Sequence, residues 1–190
     1  MAMMDKTRIE IRKGKTADVF AIGRVLVAAW RDTFFGLIDE DYLKALSPAE
    51  QALRHMGRRG TPGVRHVVAI DRESGAVIGF ANFGPARGPA ANATHEIYAL
   101  YLLPEYQRDG IGRGLVKAVA VSVLDDGGSD LFAWVLSTNP NRRFYHRLGA
   151  VPTVRSTIRL GDRNHEQVAC CWHDLPDLLA RESGQPWGWG

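Results

Sequence analysis

The chain has 190 residues, of which 45% are hydrophobic. This is enough to form the buried core of one domain and too little for two domains. The formal net charge is +3 and the basic residues are scattered rather than clustered, so we expect no nucleic-acid partner. No apolar stretch approaches the roughly 20 residues of a membrane-spanning helix, and the N-terminal residues lack the apolar centre of a signal peptide. We therefore expect no membrane partner.

The two cysteines, Cys170 and Cys171, are neighbours in a segment that alternates like a β-strand. Adjacent strand residues point to opposite faces, so a disulfide between them would be strained. A reduced protein of the cytoplasm is therefore expected. The six histidines show no metal-ligand spacing, and we expect no bound metal.

The first half of the chain predicts a strand, a group of helices and a hairpin. Residues 8–13 alternate like a strand, and residues 19–30 carry apolar side chains at helical spacing. One or two further short helices are predicted for residues 39–60. Two apolar, β-branched runs between residues 64 and 84 are joined by a four-residue turn, which is typical of a hairpin. The Gly- and Pro-rich residues 85–92 predict a surface loop.

The second half alternates strands and helices, predicted as a strand over 94–103, a helix over 111–125, a strand over 131–137, a helix over 141–149 and a hairpin over 152–175. Gly149 is expected to end the second of these helices as its C-cap. This order of elements indicates a mixed sheet with helices on its faces, that is, one α/β (α+β) domain. We place the domain at residues 1–176, followed by a loose tail at 177–190.

The stretch PEYQRDGIGRGL, residues 104–115, places Gln107, Gly110 and Gly112 at a Q-x-x-G-x-G spacing just before the predicted helix. A dinucleotide-binding fingerprint needs G-x-G-x-x-G and a Walker A loop ends in Gly-Lys-Ser/Thr, and neither is present. A helix N-terminus carries about half a positive charge, and glycines let its backbone N–H groups approach an anion such as a pyrophosphate. A plain tight turn that needs glycine for backbone freedom explains the motif equally well.

The segments around the motif favour the anion-binding helix start over the plain tight turn. The motif follows the predicted strand EIYALYLLP, and NPNRRFYHRLGA comes after the next helix and strand. Together these segments resemble the GNAT superfamily of acyl-CoA-dependent N-acetyltransferases, in which Q/R-x-x-G-x-G/A binds the pyrophosphate of acetyl-CoA and a later helix carries FY-x-x-x-G. The resemblance extends to about Leu175. It implies a single GNAT-like domain with a mixed, mostly antiparallel central sheet and helices on both faces.

The resemblance also implies which residues bind acetyl-CoA, the expected co-substrate. Backbone groups where the central strand opens at a bulge would hold the pantetheine arm and the acetyl carbonyl, at Leu100, Tyr101 and Leu102. The loop and the first helical turn would wrap the pyrophosphate, with Gln107, Arg108, Asp109, Gly110, Ile111, Gly112 and Arg113. The family's loop asparagine corresponds to Asn139, which lies one residue closer to the Phe-Tyr pair than is usual, so Asn141 competes for this contact.

Two side chains are predicted to move protons. An amine with a pKa near ~10.4 is almost entirely protonated at neutral pH, so a base is of advantage, and Glu96 is the first candidate, acting through water. Tyr145 corresponds to the tyrosine that faces the CoA sulfur in the family, and a phenol is a suitable proton donor to the departing thiolate. The backbone N–H of Leu102 would meet the oxyanion. The alternatives are a solvent-facing strand end for Glu96 and a packed helix aromatic for Tyr145.

The acceptor is less well defined by the sequence. In the family it usually enters beside the first helices, a region that here contains the acidic and aromatic residues Trp30, Asp32, Phe34, Phe35, Asp39, Glu40, Asp41 and Tyr42. We predict transfer of an acetyl group to a primary amine of a small, cationic, polyamine-like molecule in a ternary complex. Protein or peptide amines are rival acceptors, a non-catalytic acyl-CoA-binding domain is the alternative of another class, and both a monomer and a homodimer remain open.

Overall fold

A computed structural model describes residues 8–88 and 93–181. In chain order its strands and α-helices are β1 (Ile9–Lys13), α1 (Val19–Thr33), α2 (Glu40–Ala45), α3 (Pro48–Arg59), β2 (Arg65–Asp71), β3 (Ala76–Pro85), β4 (His95–Leu102), α4 (Ile111–Asp125), β5 (Leu131–Leu136), α5 (Arg142–Arg147), β6 (Val151–Leu160), β7 (Arg163–Trp172) and α6 (Leu175–Ala180). The first seven residues, part of the predicted surface loop (89–92) and most of the predicted loose tail (182–190) lie outside the described residues.

The described strands form one sheet in the order β1-β2-β3-β4-β5-β7-β6. Every neighbouring pair is antiparallel except β4 and β5, which are parallel. These two strands pair only at Glu96 with Phe132 and at Ile97 with Ala133. Beyond that point β4 continues to Leu102 without β5 beside it, so the sheet opens between them. The predicted mixed, mostly antiparallel sheet is confirmed.

A bulge on β4 accompanies this opening. Asn82 of β3 lies opposite Ala99, whereas the next β3 residue, Phe83, lies opposite Ile97, so Tyr98 is an extra residue on β4. A bulge bends its strand and increases the local twist. The bend turns the second half of β4 away from β5, which creates the cleft.

Helices cover both faces of the sheet, as predicted. On one face α1 packs with α3 and buries Ile22, Val25 and Leu26 against Val68 and Phe80 of the sheet. The opposite face is covered by α4 and α6, whose apolar side chains join the larger core with Ile111, Leu115, Val119, Val123, Leu175 and Leu178. Among residues 8–88 and 93–181, no helix has the length and apolar character needed to cross a lipid bilayer.

The C-terminal part of the domain differs from the prediction. The expected boundary after residue 176 falls inside α6, whose Leu175 and Leu178 are buried. The ammonium group of Lys117 on α4 also donates to the carbonyls of Leu179 and Arg181. The packed chain therefore continues to the end of α6. Hydrophobic periodicity in the sequence does not predict this helix, because six residues are too few to show a helical repeat.

Candidate active site

The opening between β4 and β5 leads into a cavity of about 670 Å³, which is within the range of small-molecule sites. Its walls come from α1, β4, the loop before α4, α4, β5 and α5. Most of the predicted site residues line it, namely Glu96, Leu100, Tyr101, Leu102, Gln107, Arg108, Gly110, Gly112, Arg113, Asn139 and Tyr145. The sheet topology thus brings together residues that are far apart in the chain.

One end of the cavity is formed by the N-terminus of α4. Gly110 precedes the helix with a left-handed φ of 83°, and Arg108 has a φ of 73°, which is uncommon for a residue with a side chain. The first helical turn leaves N–H groups without intrahelical partners, and the helix dipole favours negative charge there. A Cβ atom on Gly112 would lie 3.4 Å from the ring of Phe144, so there is room for a methyl group here but not for a larger side chain directed at this ring.

Two predicted contact residues of this segment do not line the cavity. Ile111 is fully buried and packs in the larger core beneath the first turn of α4. Asp109 lies between Arg108 and Gly110 in the loop, but its side chain is not part of the cavity wall. Through these two positions only the backbone can reach a ligand in the cavity.

The loop before α4 is tied to the sheet by a buried carboxylate. The hydroxyl of Tyr106 donates to Asp71 at 3.0 Å, and Asp71 also accepts from Nε and Nη2 of Arg8. The hydrogen bond from Arg8 holds the pKa of Asp71 well below its usual range, so Asp71 stays ionised as an acceptor. Tyr106 stands one residue before Gln107, and this anchor therefore fixes where the anion-binding loop begins.

Gln107 joins the loop to the open end of β4. Its side-chain Nε2 donates to the carbonyl of Leu102 at 3.4 Å. Leu103, the residue after Leu102, donates its backbone N–H to the carbonyl of Ile78 on β3. Backbone groups of successive strand residues point to opposite sides, so the N–H of Leu102 points away from β3 into the cleft. This N–H is thus directed toward the cleft, whereas the side chain of Gln107 supports the strand end.

Tyr145, on α5, forms part of the cavity floor. Its ring packs against Phe144 and Trp172, with centroid distances of 5.1 and 6.1 Å, and the residue is 9% exposed. Burial raises the pKa of the Tyr145 phenol well above its ordinary value. The hydroxyl therefore keeps its proton at neutral pH and can donate a hydrogen bond into the cavity.

Asn139 and Asn141 both line the cavity just before α5. The side-chain oxygen of Asn139 accepts from the backbone N–H of Asn141 at 2.8 Å, which closes a local turn. This bond leaves the amide NH₂ of Asn139 as its donor toward a ligand. The turn places both asparagines at the cavity wall, so both can contact acetyl-CoA there.

Glu96 lines the cavity, but its carboxylate is fully engaged. It is 1% exposed and accepts from the backbone N–H, Nε and Nη2 of Arg87, with a shortest distance of 2.6 Å. A carboxylate has about four lone-pair sites, and these three N–H groups engage both of its oxygens. The predicted solvent-facing alternative is wrong, since the side chain is buried. Acting as a base would require Glu96 to release Arg87.

The acceptor end of the cavity is aromatic rather than acidic. Trp30 packs against Phe34 and Tyr101 at 5.2 and 6.2 Å between ring centres, and all three line the cavity. Burial raises the pKa of Tyr101 to about 12. The indole N–H of Trp30 is buried without a hydrogen-bond partner of normal geometry among the described residues.

The acidic residues expected at the acceptor end lie elsewhere. Asp39 caps α2 by accepting from the N–H of Tyr42, while Glu40 and Asp41 form exposed ion pairs with Lys44. The charged side chains of the cavity wall among the described residues are Arg87, Glu96, Arg108, Arg113 and Arg147. Four of these five are cationic, so the lining does not support a polycationic acceptor.

Several lining residues were missed by the sequence reasoning. Arg87 lies in the predicted surface loop, and Trp134, Ile158, Leu160 and Gln167 come from β5, β6 and β7, for which the sequence predicts a strand and a hairpin without a binding role. No local signal identifies them, because it is the parting of β4 from β5 that exposes them to the cleft. A Gly/Pro-rich loop beside an aromatic strand is the weak hint that was available for Arg87.

Comparison with known proteins adds an independent line of observation. Residues 26–150 match the model of the Acetyltransferase (GNAT) family. The uncharacterized N-acetyltransferase YuaI of Bacillus subtilis (strain 168) is 33% identical over 170 residues, covering 90% of this chain and 96% of that protein. A mycothiol acetyltransferase of Mycobacterium sp. (strain JLS) is 28% identical over 111 residues, which are 58% of this chain and 33% of that protein.

Solved structures share the fold at lower identity. The PaiA N-acetyltransferase of Thermoplasma acidophilum, in complex with coenzyme A, superposes with a TM-score of 0.68 at 23% identity, covering 86% of this chain and 99% of that one. YncA of Salmonella typhimurium, with acetyl-CoA, gives a TM-score of 0.63 at 21% identity, covering 87% and 94%. With the family match over residues 26–150, the conclusion is that the chain belongs to the acetyltransferase (GNAT) family and is an acyltransferase.

Proposed function

We propose that the enzyme transfers the acetyl group of acetyl-CoA, its co-substrate, directly to a primary amine of a small molecule in a ternary complex. The observation that carries this proposal is the opening between β4 and β5. It joins the anion-binding start of α4, the free N–H of Leu102, the hydroxyl of Tyr145 and the aromatic acceptor end in one cavity. A single cavity allows both substrates to bind together, so no covalent enzyme intermediate is needed.

The bonds that change are those of an acyl transfer. The neutral amine nitrogen attacks the thioester carbonyl, a C–N bond forms, and the developing oxyanion accepts a hydrogen bond from the N–H of Leu102. The C–S bond then breaks, and the thiolate takes a proton from the hydroxyl of Tyr145. The proton that the amine loses passes to solvent and replaces the one given up by Tyr145.

Two roles are open for Glu96 in this scheme. It could take the amine's proton through water, as the sequence suggests, or it could hold Arg87 in place. The hydrogen bonds from Arg87 to both carboxylate oxygens favour the second role. Without a dedicated base the enzyme would select the neutral fraction of the amine, and kcat/KM would rise with pH up to the amine's own pKa.

Release of CoA thiol from acetyl-CoA in the presence of single amines tests the proposal. We expect amine-dependent thiol release together with a product that has gained one acetyl group by mass spectrometry. Binding of acetyl-CoA without thiol release for any amine or peptide would instead establish a non-catalytic acyl-CoA-binding domain. The free, buried cysteines Cys170 and Cys171 support the further proposal that the enzyme works in the reducing cytoplasm.

A further inference from the structure

Arg87 is held rigidly at one corner of the cavity. Three of its N–H groups donate to the buried carboxylate of Glu96, and its guanidinium carbon lies 4.3 Å from the ring centre of Tyr98. The hydroxyl of Tyr98 in turn donates to the carbonyl of Pro85. An arginine that is already ordered loses little side-chain entropy when it binds a ligand.

Part of this guanidinium is free for a ligand. The contacts with Glu96 use Nε and Nη2, whereas Nη1 has no hydrogen bond to any residue in the described part of the chain. The Arg87 side chain is 54% exposed and belongs to the cavity wall. The ion pair therefore leaves one N–H group of an ordered guanidinium without a protein partner among the described residues, on a side chain that lines the cavity.

A second arginine stands at the same corner. Gly63 and Val64, just after α3, lie directly against Gly84 and Pro85, since a Cβ on Gly84 would lie 3.0 Å from the Gly63 carbonyl. This contact brings the end of α3, with Arg58, beside Arg87. Arg58 is an exposed residue, but partial desolvation together with repulsion from Arg87 and Arg54 lowers its pKa.

The cations at this corner exceed the anions. Arg54 and Arg58 are four residues apart on α3, a spacing at which like charges repel. Neither forms an ion pair within residues 8–88 and 93–181, and Glu96 is already matched by Arg87. Positive charge that the protein leaves without a counter-charge beside a cavity favours an anionic ligand.

We propose that the acetyl acceptor is an amine that also carries a compact anionic group, a carboxylate or a phosphate, and that Arg87 binds this group while Arg58 adds positive charge from outside the cavity wall. The inference rests on the acetyl transfer proposed above and names the class of amine that it serves. Glu96 is then a positioning residue, which orients Arg87 and does not touch the reacting atoms.

The CoA phosphates do not explain this corner. The pyrophosphate end of the cavity is built by Arg108 and Arg113 at the start of α4, beyond Leu102. Glu96 and Leu102 are six residues apart on β4, which corresponds to roughly 20 Å along an extended strand. The cavity thus has cationic side chains at both ends, with the opening between β4 and β5 in between.

The test compares amines that differ only in the anionic group, with thiol release from acetyl-CoA as readout. The pairs are 8-aminooctanoate with 8-aminooctanamide, and 8-aminooctyl phosphate with 8-aminooctanol, because the chain must extend from Arg87 to the thioester beside Leu102. In the wild type we expect kcat/KM to favour the anionic member of at least one pair by about 10- to 100-fold, the range for hydrogen bonds to charged groups, mainly through KM. Which pair shows the larger ratio distinguishes a carboxylate from a phosphate.

Variants then assign the preference to residues. Arg87→Gln should bring the ratio close to one, and Arg58→Gln should lower it in part. Arg24→Gln removes the same charge from an exposed position on α1 outside the cavity and should leave the ratio unchanged. Glu96→Gln should lower the ratio equally at every pH, whereas loss of a general base would slow both members and recover as the pH rises.

Equal kcat/KM for both members of both pairs in the wild type would overturn the proposal, as would an equal loss on neutral and anionic amines in Arg87→Gln. An effect of Arg87→Gln on KM for acetyl-CoA alone would assign the arginine to CoA. If no amine is acetylated, the proposed transfer fails, and calorimetric titration of 8-aminooctanoate and 8-aminooctyl phosphate into CoA-saturated protein tests the anion site separately. Binding that Arg87→Gln abolishes would support the anion site, and no binding would overturn it.

Discussion

At the scale of single residues, Tyr145 combines burial with access to the cavity. Burial against Phe144 and Trp172 raises the pKa of its phenol, which keeps the proton on the oxygen until a stronger base is formed. The departing CoA thiolate is such a base only while it is poorly solvated within the cleft. A buried phenol can therefore stabilise the thiolate as it develops without ionising beforehand.

Tyr145→Phe removes the hydroxyl and leaves the ring and its packing. We expect kcat to fall by about 10²–10⁴-fold, the usual contribution of a positioned acid–base group, with a smaller change in KM for acetyl-CoA. The defect should shrink with an activated acetyl thioester, whose thiol leaves more easily. Steady-state kinetics with both thioesters measure this.

Tyr42→Phe provides the matched control, because Tyr42 loses the same hydroxyl but does not line the cavity. Its kinetics should match those of the wild type. Full activity in Tyr145→Phe would remove the acid role from this residue. A variant that folds but no longer binds acetyl-CoA would show instead that the hydroxyl holds the co-substrate.

At the scale of elements, the loop before α4 and the first turn of α4, up to Arg113, are the proposed anion-binding unit. The loop is anchored at its start by the hydrogen bond from Tyr106 to Asp71 and joined to β4 by Gln107. Its end passes into α4 through Gly110, whose positive φ suits glycine. Both anchors come from the sheet, so the position of the helix start relative to the cleft is set by β2 and β4.

Substitutions at Gly112 test this unit. Gly112→Val places a branched side chain where the first turn of α4 faces the cavity and the ring of Phe144, and it should abolish binding of acetyl-CoA. For the wild type, acetyl-CoA at a hundredfold excess over its Kd should stabilise the fold by about 2.7 kcal/mol, seen as a rise in Tm. The variant should melt as a folded protein without that rise.

Gly112→Ala is the graded control, since its single methyl group would lie 3.4 Å from Phe144, an ordinary contact. It should retain most of the stabilisation by acetyl-CoA. If Gly112→Val binds acetyl-CoA as the wild type does, the start of α4 is not the phosphate site. If the wild type shows no rise in Tm with millimolar acetyl-CoA, the whole site assignment fails.

At the scale of the whole molecule, a buried histidine pair links α3 to β2. Nδ1 of His55 and Nε2 of His66 are 3.2 Å apart, and the residues are 1% and 3% exposed. The other ring nitrogen of each has no hydrogen-bond partner in the described part of the chain. Burial, aided by the charge of Arg58, lowers the pKa of His55 to about 4, and burial lowers that of His66 further.

This pair predicts how stability depends on pH. In the unfolded chain a histidine titrates near pH ~6.5, above its folded value, so at acid pH the unfolded state binds more protons. The free energy of unfolding is therefore unaffected by titration of the pair above about pH 6.5. It decreases as the pH falls toward 4, by roughly 1.4 kcal/mol per pH unit for each additional proton that the unfolded chain binds. Urea unfolding at pH 7 and pH 4.5 measures the loss.

A double variant with His55→Leu and His66→Leu keeps side chains of similar size without titratable groups. It should lose less stability than the wild type between these two pH values. Carboxylates that are hydrogen-bonded in the fold, such as Asp71, titrate in both proteins and cancel in the comparison. Equal losses in the two proteins would show that the histidine pair does not control acid stability.

Much of this architecture follows from local sequence patterns. Alternation of apolar residues predicts β1, β4 and β7, and helical spacing predicts α1 and α4, because each element buries one face whatever its partners are. Gly149 ends α5 with a φ of 86°, as its position in the sequence indicates. The Q-x-x-G-x-G spacing predicts the helix start with its backbone donors, since six consecutive residues are enough to shape it.

The sequence by itself therefore determined the elements other than α6, the single mixed domain and the family, because these depend on short-range periodicity and on motifs contiguous in the chain. The tertiary structure alone decided which side chains meet. It paired Glu96 with Arg87 from the preceding loop, moved the acidic turn of α2 away from the cavity, and placed residues of β5, β6 and β7 in its wall. The physical reason is that partners of buried charges and the lining of a cleft depend on strand order and on the bulge in β4, which bring together residues that no local pattern relates.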